Sequence, residues 1–332
     1  MPRRLIFMLI ATTIFWSSSF AFIKVVVDNV SPAVMTVTRC ALGAMVLWAA
    51  VFLMDRHERR QGIDRTPPDG EHHSVLTTHA GYAFNGLLTG VPFFLIGWAE
   101  QRIPSGIAGI VNASVPVWAA ALAMRWDTAH RTTPIRWLGV MVGFAGVVFL
   151  IVSSGLDSGA RDLATTGLLA SALGAMMYGV GGVFVSHRLS WVLPARVAAW
   201  ACTWGAAILL VPALPTAPTT MPDPGVLASL AVLGFAATGF GFLFYYTMLS
   251  ELGATRASMV TYLLPPLALI YGAIFFNEPF NPIAIAAMAL ILLGVFIGSR
   301  GGTSGGTPTS ITAPMAECDG SGRRQQAAIL PE

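Results

Sequence analysis

The chain has 332 residues, of which 55% are hydrophobic and only 11% are charged. An average soluble domain carries about 25% charged residues, so this composition excludes an ordinary soluble protein and indicates an integral membrane protein. The net charge of +3 is too small to indicate nucleic-acid binding, and three widely separated cysteines predict no disulfide framework.

A transmembrane helix needs about 20 mostly apolar residues. Along the chain this criterion predicts ten spans, at Leu5–Val27, Pro32–Met54, Ala80–Trp98, Gly106–Met124, Ile135–Val152, Leu163–Val185, Pro194–Pro212, Val226–Met248, Ala257–Phe276 and Pro282–Ile297. The predicted fold class is therefore all-α integral membrane, with ten transmembrane helices.

The first span contains the polar stretch FWSSSFAFIK, in which Ser17 and Lys24 lie seven residues apart on nearly the same helix face. Trp16 and Lys24 belong to an adjoining stripe. Lys24 either anchors the helix by reaching toward water or faces a wet central cavity. The serines either allow close helix packing or line a substrate path. Trp16, Ser17 and Lys24 are candidate substrate-binding residues.

The second span contains a charged residue, Arg39, seven residues beyond Pro32 and so roughly 10 Å along the helix. A charge at this depth costs at least a few kcal/mol unless it is paired or hydrated. Arg39 shares a helix face with Thr36, Cys40 and Gly43, which we expect to point into the bundle. It is either a structural arginine bonded to backbone carbonyls or a binding residue for an anionic group.

Amides and prolines interrupt later spans. Asn85 and Asn112 need partners, which are either neighbouring helices or a substrate. Pro116, Pro265 and Pro266 each remove a backbone hydrogen bond. Such positions are either simple kinks or helix breaks at a binding site.

Three tyrosines in the second half, Tyr178, Tyr246 and Tyr262, are candidates for an aromatic cavity wall, with ordinary packing as the alternative. Glu278, at the predicted outer end of the ninth span, either caps the following turn or has a gating or proton-coupling role. No carboxylate falls at a predicted membrane midplane, so the sequence gives no support for proton coupling.

Lys and Arg predict the orientation of the chain. With a cytoplasmic N-terminus and ten spans, fifteen of the 19 basic residues lie on the cytoplasmic side, three lie outside, and Arg39 lies within a span. This bias predicts a multi-pass protein with both termini in the cytoplasm. The short loops suit the cell inner (plasma) membrane of a bacterium.

The two halves of the chain share a pattern. The same pattern occurs twice, in Gly97–Asp127 and in Leu249–Pro279. Each segment contains the end of one helix, a short polar corner and then a second helix. The second helix is rich in small residues, has a proline near its middle and ends at a carboxylate. Each half holds five spans, an odd number, so the second half enters the membrane from the opposite side. The expected architecture is two inverted five-helix repeats, which is frequent in secondary transporters.

The predicted boundaries follow from this duplication. The first repeat covers residues 1–153 and includes a polar cytoplasmic loop at 55–79, and the second repeat covers 154–299. Residues 300–332 are rich in Gly, Ser, Thr and Pro and are predicted to form a disordered cytoplasmic tail.

These segments resemble the EamA-type family of the drug/metabolite transporter superfamily. The stretches that carry the resemblance are FWSSSFAFIK, TVTRCALGAMVL, SGIAGIVNASVPVWAAALA, GATRASMVTYLLPPLALIYGAIFFNEP and LILLGVFIG. The resemblance implies ten helices, cytoplasmic termini and transport of small metabolites, often efflux. One departure is the end of the fourth span, where the family often has Glu and this chain has Asp127.

The predicted function is a secondary transporter, an exporter of small metabolites such as amino-acid-like or other polar or amphipathic compounds, working by alternating access as a monomer or homodimer. Its partners are a small-molecule substrate and membrane lipid, without a cofactor, a metal or nucleic acid. Because HExxH, G-x-S-x-G, P-loop and metal-ligand patterns are lacking, we expect no enzyme. The alternative, a membrane-embedded enzyme for lipid-linked substrates, needs clustered polar groups at one membrane face.

Overall fold

The computed structural model describes residues 2–60, 75–126, 134–154, 161–189, 191–252 and 259–300. Throughout these ranges the regular structure is helical, without a strand. The helices are α1 Arg3–Val27, α2 Pro32–Arg60, α3 Val75–Glu100, α4 Ser105–Asn112, α5 Val115–Trp126, α6 Pro134–Ser154, α7 Arg161–Arg188, α8 Pro194–Ala213, α9 Pro224–Ala231, α10 Gly241–Leu252, α11 Met259–Phe276 and α12 Pro282–Arg300.

Several helices begin at a proline, whose fixed φ suits the first helical turn and whose missing N–H would have no intrahelical partner there. These starting residues are Pro32, Pro134, Pro194, Pro224 and Pro282. The local chemistry of the sequence therefore marks where these helices begin.

The helices have the length and composition of membrane spans. Within the described residues, seven helical stretches are long and apolar enough to cross a membrane. Three shorter apolar helices cover Trp137–Ser153, Leu263–Phe276 and Pro282–Gly298. The chain is thus an all-helical, multi-pass membrane protein.

Each predicted span overlaps a helix, but one connection is shorter than predicted. Helix α2 continues to Arg60 and α3 begins at Val75, so both ends of the predicted loop at 55–79 are helical. Residues 61–74, and the predicted tail from 301 onward, lie outside the described residues.

The fourth predicted span is divided in two. Helix α4 ends at Asn112, a turn follows, and α5 begins at Val115 with Pro116 as its second residue. The proline ring has no N–H for the carbonyl of Asn112, four residues earlier, and would clash with it in a continuous helix. The helix therefore ends where the proline prevents continuation.

The other prolines behave differently. Helix α11 runs through Pro265 and Pro266 without interruption, so of the two alternatives for these prolines the structure does not show the helix break. Helix α3 likewise contains Pro92, which we did not single out. In membrane helices, neighbouring groups satisfy the carbonyls that such prolines leave free.

The eighth predicted span contains a long π-helical segment, Val232–Phe240, between α9 and α10. A π-helix has one extra residue per hydrogen-bonded turn and occurs frequently at functional sites. Helices α1 and α2 both pack against this segment.

Helices α6 and α12 pack closely through glycines. A Cβ atom at Gly139 would collide with the backbone of Gly298, and one at Gly294 would collide with the backbone of Gly143. Small residues at these positions permit direct contact between the two backbones, as in many membrane helix pairs.

Candidate functional site

Arg39 lies buried in the helical bundle with only 5% of its surface exposed. Its Nε donates a hydrogen bond of 2.8 Å to Oγ1 of Thr238 in the π-helical segment. The guanidinium carbon lies 3.9 Å from the ring centre of Phe93 on α3, a cation–π contact. Side chains from two other helical stretches therefore position the arginine.

Thr238 connects Arg39 to the backbone of the π-helical segment. Its hydroxyl donates a hydrogen bond of 2.9 Å to the carbonyl of Leu233, five residues earlier. The same oxygen accepts the hydrogen bond from Arg39. A threonine hydroxyl can do both because it carries one donor and two acceptor lone pairs.

Trp16 on α1 contacts the neighbouring position of the same segment. Its Nε1 donates a hydrogen bond of 2.9 Å to the carbonyl of Ala237. Its ring lies 5.1 Å from that of Tyr245 and 6.0 Å from that of Phe242. Arg39 and Trp16, which the sequence predicts as binding residues, thus bind consecutive residues of the π-helical segment.

A second group of candidates lies where α3 meets α7. Tyr178 packs edge-to-face on Phe93, with ring centres 6.0 Å apart, so it belongs to the surroundings of Arg39. Asn85 is buried, and its amide oxygen lies close to Gly181, one turn beyond Tyr178. Phe93 therefore connects the buried arginine to Tyr178 at this interface.

The break between α4 and α5 leaves a polar atom without a partner. Oδ1 of Asn112 is buried and has no hydrogen-bond partner among the described residues. An unbonded buried carbonyl costs about 1–3 kcal/mol, so this atom marks a place where a ligand or water would be favourable.

Ser17 and Lys24 have structural partners. Ser17 is fully buried and donates a hydrogen bond of 2.7 Å to the carbonyl of Thr13 in its own helix. Lys24 Nζ donates to Oδ1 of Asp28 at 3.2 Å and to the backbone carbonyl of Glu100 at 3.0 Å. Both side chains therefore have partners within the protein, and their roles as binding residues stay predictions.

Tyr246 packs among aromatic side chains, 6.1 Å from Phe242 and 5.8 Å from Tyr245 between ring centres. It therefore lies near Trp16 rather than beside Arg39. The side chain of Tyr262, another candidate for the cavity wall, lies outside the described part of the structure.

Glu278 caps a helix from the other half of the chain. Its Oε1 accepts hydrogen bonds from the backbone N and the Oγ of Ser105, at 2.7 and 3.0 Å, and Oε2 accepts from Gly106 N at 3.1 Å. Both acceptors satisfy otherwise free N–H groups at the start of α4, where a negative charge is favourable. The preceding Asn277 has a φ of 52°, a left-handed conformation that asparagine tolerates.

The sequence did not point to two residues of this region, and it did not reveal the burial of a third. Thr238 and Phe93 are ordinary residues of apolar spans, and only the three-dimensional packing places them on Arg39. Glu100 is visible as an acid at a span end, but its complete burial is a property of the fold. Among the described residues, no group of three His, Cys, Asp or Glu side chains is placed to hold a metal ion.

The comparison with known proteins identifies the family. The sequence profile of the EamA-like transporter family matches the chain at residues 3–152 and again at 165–300. The chain belongs to this family. Together the two matches cover most of the described structure.

Relatives support the same assignment at low identity. The chain is 22% identical over 296 residues to the uncharacterized transporter YoaV of Bacillus subtilis, covering 88% of this chain and 95% of that protein. It is 26% identical over 305 residues to the uncharacterized inner membrane transporter YedA of Escherichia coli K12, covering 88% and 90%.

A further relative has a more specific name. The "probable terminal-alkyne amino-acid exporter" of Streptantibioticus cattleyicolor is 25% identical over 300 residues, covering 88% of this chain and 92% of that protein. A solved crystal structure with 20% sequence identity covers 89% of this chain and 96% of its own, with a TM-score of 0.60, and shows the same fold. The protein is therefore a multi-pass membrane member of a transporter family.

Proposed function

We propose that this EamA-like protein is a secondary transporter that exports small amino-acid-like or other polar or amphipathic compounds by alternating access. The observation that carries the proposal is the incomplete set of partners around Arg39. Among the described residues, only its Nε donates a hydrogen bond, and the guanidinium face lies on Phe93. The terminal nitrogens remain to bind a substrate.

The chemistry of a buried guanidinium defines the preferred ligand. A buried charge is costly unless it is paired and hydrogen-bonded. The two terminal nitrogens of an arginine form a planar fork that matches the two oxygens of a carboxylate. A substrate carboxylate on Arg39 would therefore offset the cost of burying it. Asn112 and Tyr178 are further proposed substrate contacts.

The relatives support this substrate class. One relative is named a probable terminal-alkyne amino-acid exporter. An amino acid with an alkyne group has a carboxylate and an apolar part. An amino acid of this kind has an anionic group for Arg39 and an apolar part for aromatic side chains such as Phe93. This class also fits the predicted small amphipathic substrate.

We further propose ten spans in two inverted repeats, with boundaries at 1–153 and 154–299. The two separate matches of the family profile support the duplication. The seven long helices and three shorter ones give ten apolar segments in the described chain. Both termini would then be cytoplasmic, in the inner membrane.

Contacts between the two proposed repeats occur at both ends of the bundle. At the predicted outer end, Glu278 of the second repeat binds the start of α4. At the predicted inner end, Arg196 binds Asp55 with distances of 2.9 and 3.0 Å, and Arg4 pairs with Glu251. Exposed ion pairs contribute only about 0–1 kcal/mol each, so the inner contacts would open at low cost. We assign them and Glu278 as gating contacts.

Counterflow in vesicles tests the function. Purified protein is reconstituted into vesicles, and exchange is measured for a panel of four amino acids, L-leucine, L-phenylalanine, L-threonine and L-propargylglycine. The methyl ester of each amino acid is measured in parallel. We expect the wild type to exchange at least one amino acid and to reject its ester. Arg39→Ala removes a charged hydrogen-bonding partner worth about 1.5–3 kcal/mol, so apparent affinity should fall by about 10- to 150-fold.

The control is another arginine that also lies on an aromatic ring. Arg102 stacks at 3.4 Å on Trp98 and donates to its carbonyl, away from the π-helical segment. We expect Arg102→Ala to keep wild-type exchange and discrimination. If Arg39→Ala still rejects the ester as the wild type does, Arg39 does not bind the carboxylate. If the wild type exchanges no member of the panel, the proposed substrate class is wrong.

A further inference from the structure

Glu100, the last residue of α3, is a carboxyl group in an unusual environment. The residue has 0% of its surface exposed. Neither of its carboxylate oxygens has a hydrogen-bond partner among the described residues. Its neighbours along α3 include the buried Ile96 and Ala99, which belong to the largest apolar cluster among the described residues. The polar end of this side chain is thus sealed inside the bundle.

The charged groups that face Glu100 come from several elements. They are Lys24 and Asp28 of α1, Arg39 of α2, and Glu278 after α11. Two of these groups are positive and two are negative.

Each of these groups is also engaged elsewhere. Lys24 binds Asp28 and the backbone carbonyl of Glu100, not its side chain. Arg39 binds Thr238, and Glu278 binds the start of α4. An ionised Glu100 would therefore have no direct counter-ion in this conformation.

An ionised carboxylate buried without hydrogen bonds costs far more free energy than a neutral carboxylic acid, whose unmade hydrogen bonds cost about 1–3 kcal/mol. The group avoids the larger cost by holding a proton. From this geometry we infer that Glu100 is a proton-binding site that couples export to proton entry. The inference rests on the proposed transport function.

Lys24 provides a partner for the ionised form. A lysine ammonium has three N–H donors, and the described contacts of Lys24 use two. Nζ lies 3.0 Å from the Glu100 backbone carbonyl, so in the proposed ionised state the carboxylate would turn toward this ammonium group. Glu100 can thus alternate between a protonated, sealed state and an ionised state paired with Lys24.

The exchange conserves atoms, and each cycle with a zwitterionic amino acid moves one positive charge inward. One proton binds a Glu100 carboxylate oxygen from the outside and leaves it toward the cytoplasm. One substrate molecule moves outward, with its carboxylate on Arg39. No covalent bond of the substrate or the protein forms or breaks, and the transmembrane proton gradient supplies the free energy.

The first test is independent of transport. An infrared spectrum of the purified full-length protein at neutral pH should contain the carbonyl band of a protonated carboxylic acid. Glu100→Gln should remove this band, and Glu100→Asp, which keeps a titratable group, should shift it. The matched control is Asp223→Asn, because Asp223 is exposed and makes no side-chain cap. If the wild-type protein shows only ionised carboxylates, the inference is wrong.

The second test measures coupling with the panel amino acid that the wild type exchanges fastest. With an acidic vesicle lumen, outgoing protons should drive accumulation of that amino acid. At one proton per substrate, and with the membrane potential clamped at zero, each pH unit corresponds to about a tenfold accumulation ratio. Glu100→Gln should keep exchange without a gradient and lose accumulation, whereas Asp223→Asn should keep both.

The outcomes separate the two proposals. A wild-type protein that exchanges amino acids but ignores the pH gradient contradicts proton coupling and leaves the transport function intact. Accumulation that follows a sodium gradient instead also contradicts it. A wild-type protein that exchanges no amino acid contradicts the transport function, and the infrared band then decides by itself whether Glu100 holds a proton.

Discussion

Single residues determine how the buried charge is held. Arg39 donates one hydrogen bond to Thr238, and its guanidinium lies on the ring of Phe93. These two residues belong to different helical stretches. Trp16 binds the carbonyl next to Thr238. The orientation of the guanidinium therefore depends on the π-helical segment, and any change in that segment moves the proposed substrate contact.

Thr238→Val tests this dependence, because it keeps the shape of the side chain and removes the hydroxyl. The Nε of Arg39 then lacks its partner, which costs about 1–3 kcal/mol in a buried site. We expect a lower thermal unfolding midpoint in detergent and weaker apparent affinity for the exchanged amino acid. Both are measured on the same purified protein.

Thr238→Ser is the matched control, because it keeps the hydroxyl and loses only a methyl group. It should retain most of the affinity of the wild type. Equal affinity and stability in Thr238→Val and the wild type would show that the 2.8 Å hydrogen bond does not position Arg39.

At this scale the sequence predicts which residues are energetically costly to bury in the membrane. It does not predict which residues bind them. Arg39 and Trp16 are recognisable because charges and indole N–H groups are expensive in hydrocarbon. Thr238 carries no comparable signal, since a threonine in an apolar helix usually bonds its own backbone. Which residue faces the arginine depends on the rotation of two helices about their axes, and that rotation comes from packing.

At the scale of whole elements, hydropathy predicts the helices because a membrane span must be long and apolar. Proline chemistry explains the break before Pro116, while Pro265 and Pro266 remain in a continuous helix. The π-helical segment Val232–Phe240 was not predicted, because its apolar residues suit an α-helix equally well. Its register is a result of the surrounding packing.

The contact between α6 and α12 gives a prediction at this scale. Gly294→Ala places a Cβ against the backbone of Gly143, which cannot move as a side chain can. Overpacking of this kind costs about 1–3 kcal/mol, so the unfolding midpoint should fall by several degrees.

Gly182 is the control for this substitution. It lies within α7, and a Cβ atom added there would have no neighbouring atom within 4 Å, so Gly182→Ala adds no contact. Alanine also favours a helix over glycine by about 0.5–1 kcal/mol. We expect Gly182→Ala to equal or exceed the wild type in stability. A Gly294→Ala protein as stable as Gly182→Ala would contradict the close backbone contact.

At the scale of the whole molecule, the contacts at both ends join the two proposed repeats. Glu278 holds the start of α4 at the predicted outer end, and two ion pairs join the helices at the predicted inner end. Arg39 and Trp16 contact the π-helical segment between them. Alternating access in this account is the opening of one set of end contacts while the other stays closed.

The membrane orientation of the two repeats is the basis of this account. An inverted pair of five-span repeats places both termini in the cytoplasm and the connection between the repeats outside. Native Cys318 reports on the C-terminal side, while Arg3→Cys and Ser158→Cys report on the N-terminus and the connection. Cys40 and Cys202 are buried and are replaced by alanine in every variant.

The decisive measurement is labelling of these single cysteines with a membrane-impermeant maleimide, in intact cells and after permeabilisation. We predict that Ser158→Cys is labelled in intact cells, whereas Arg3→Cys and Cys318 are labelled only after permeabilisation. Labelling of only one chain end in intact cells would contradict the inverted repeats. Labelling that places Ser158→Cys on the same side of the membrane as both chain ends would contradict them as well.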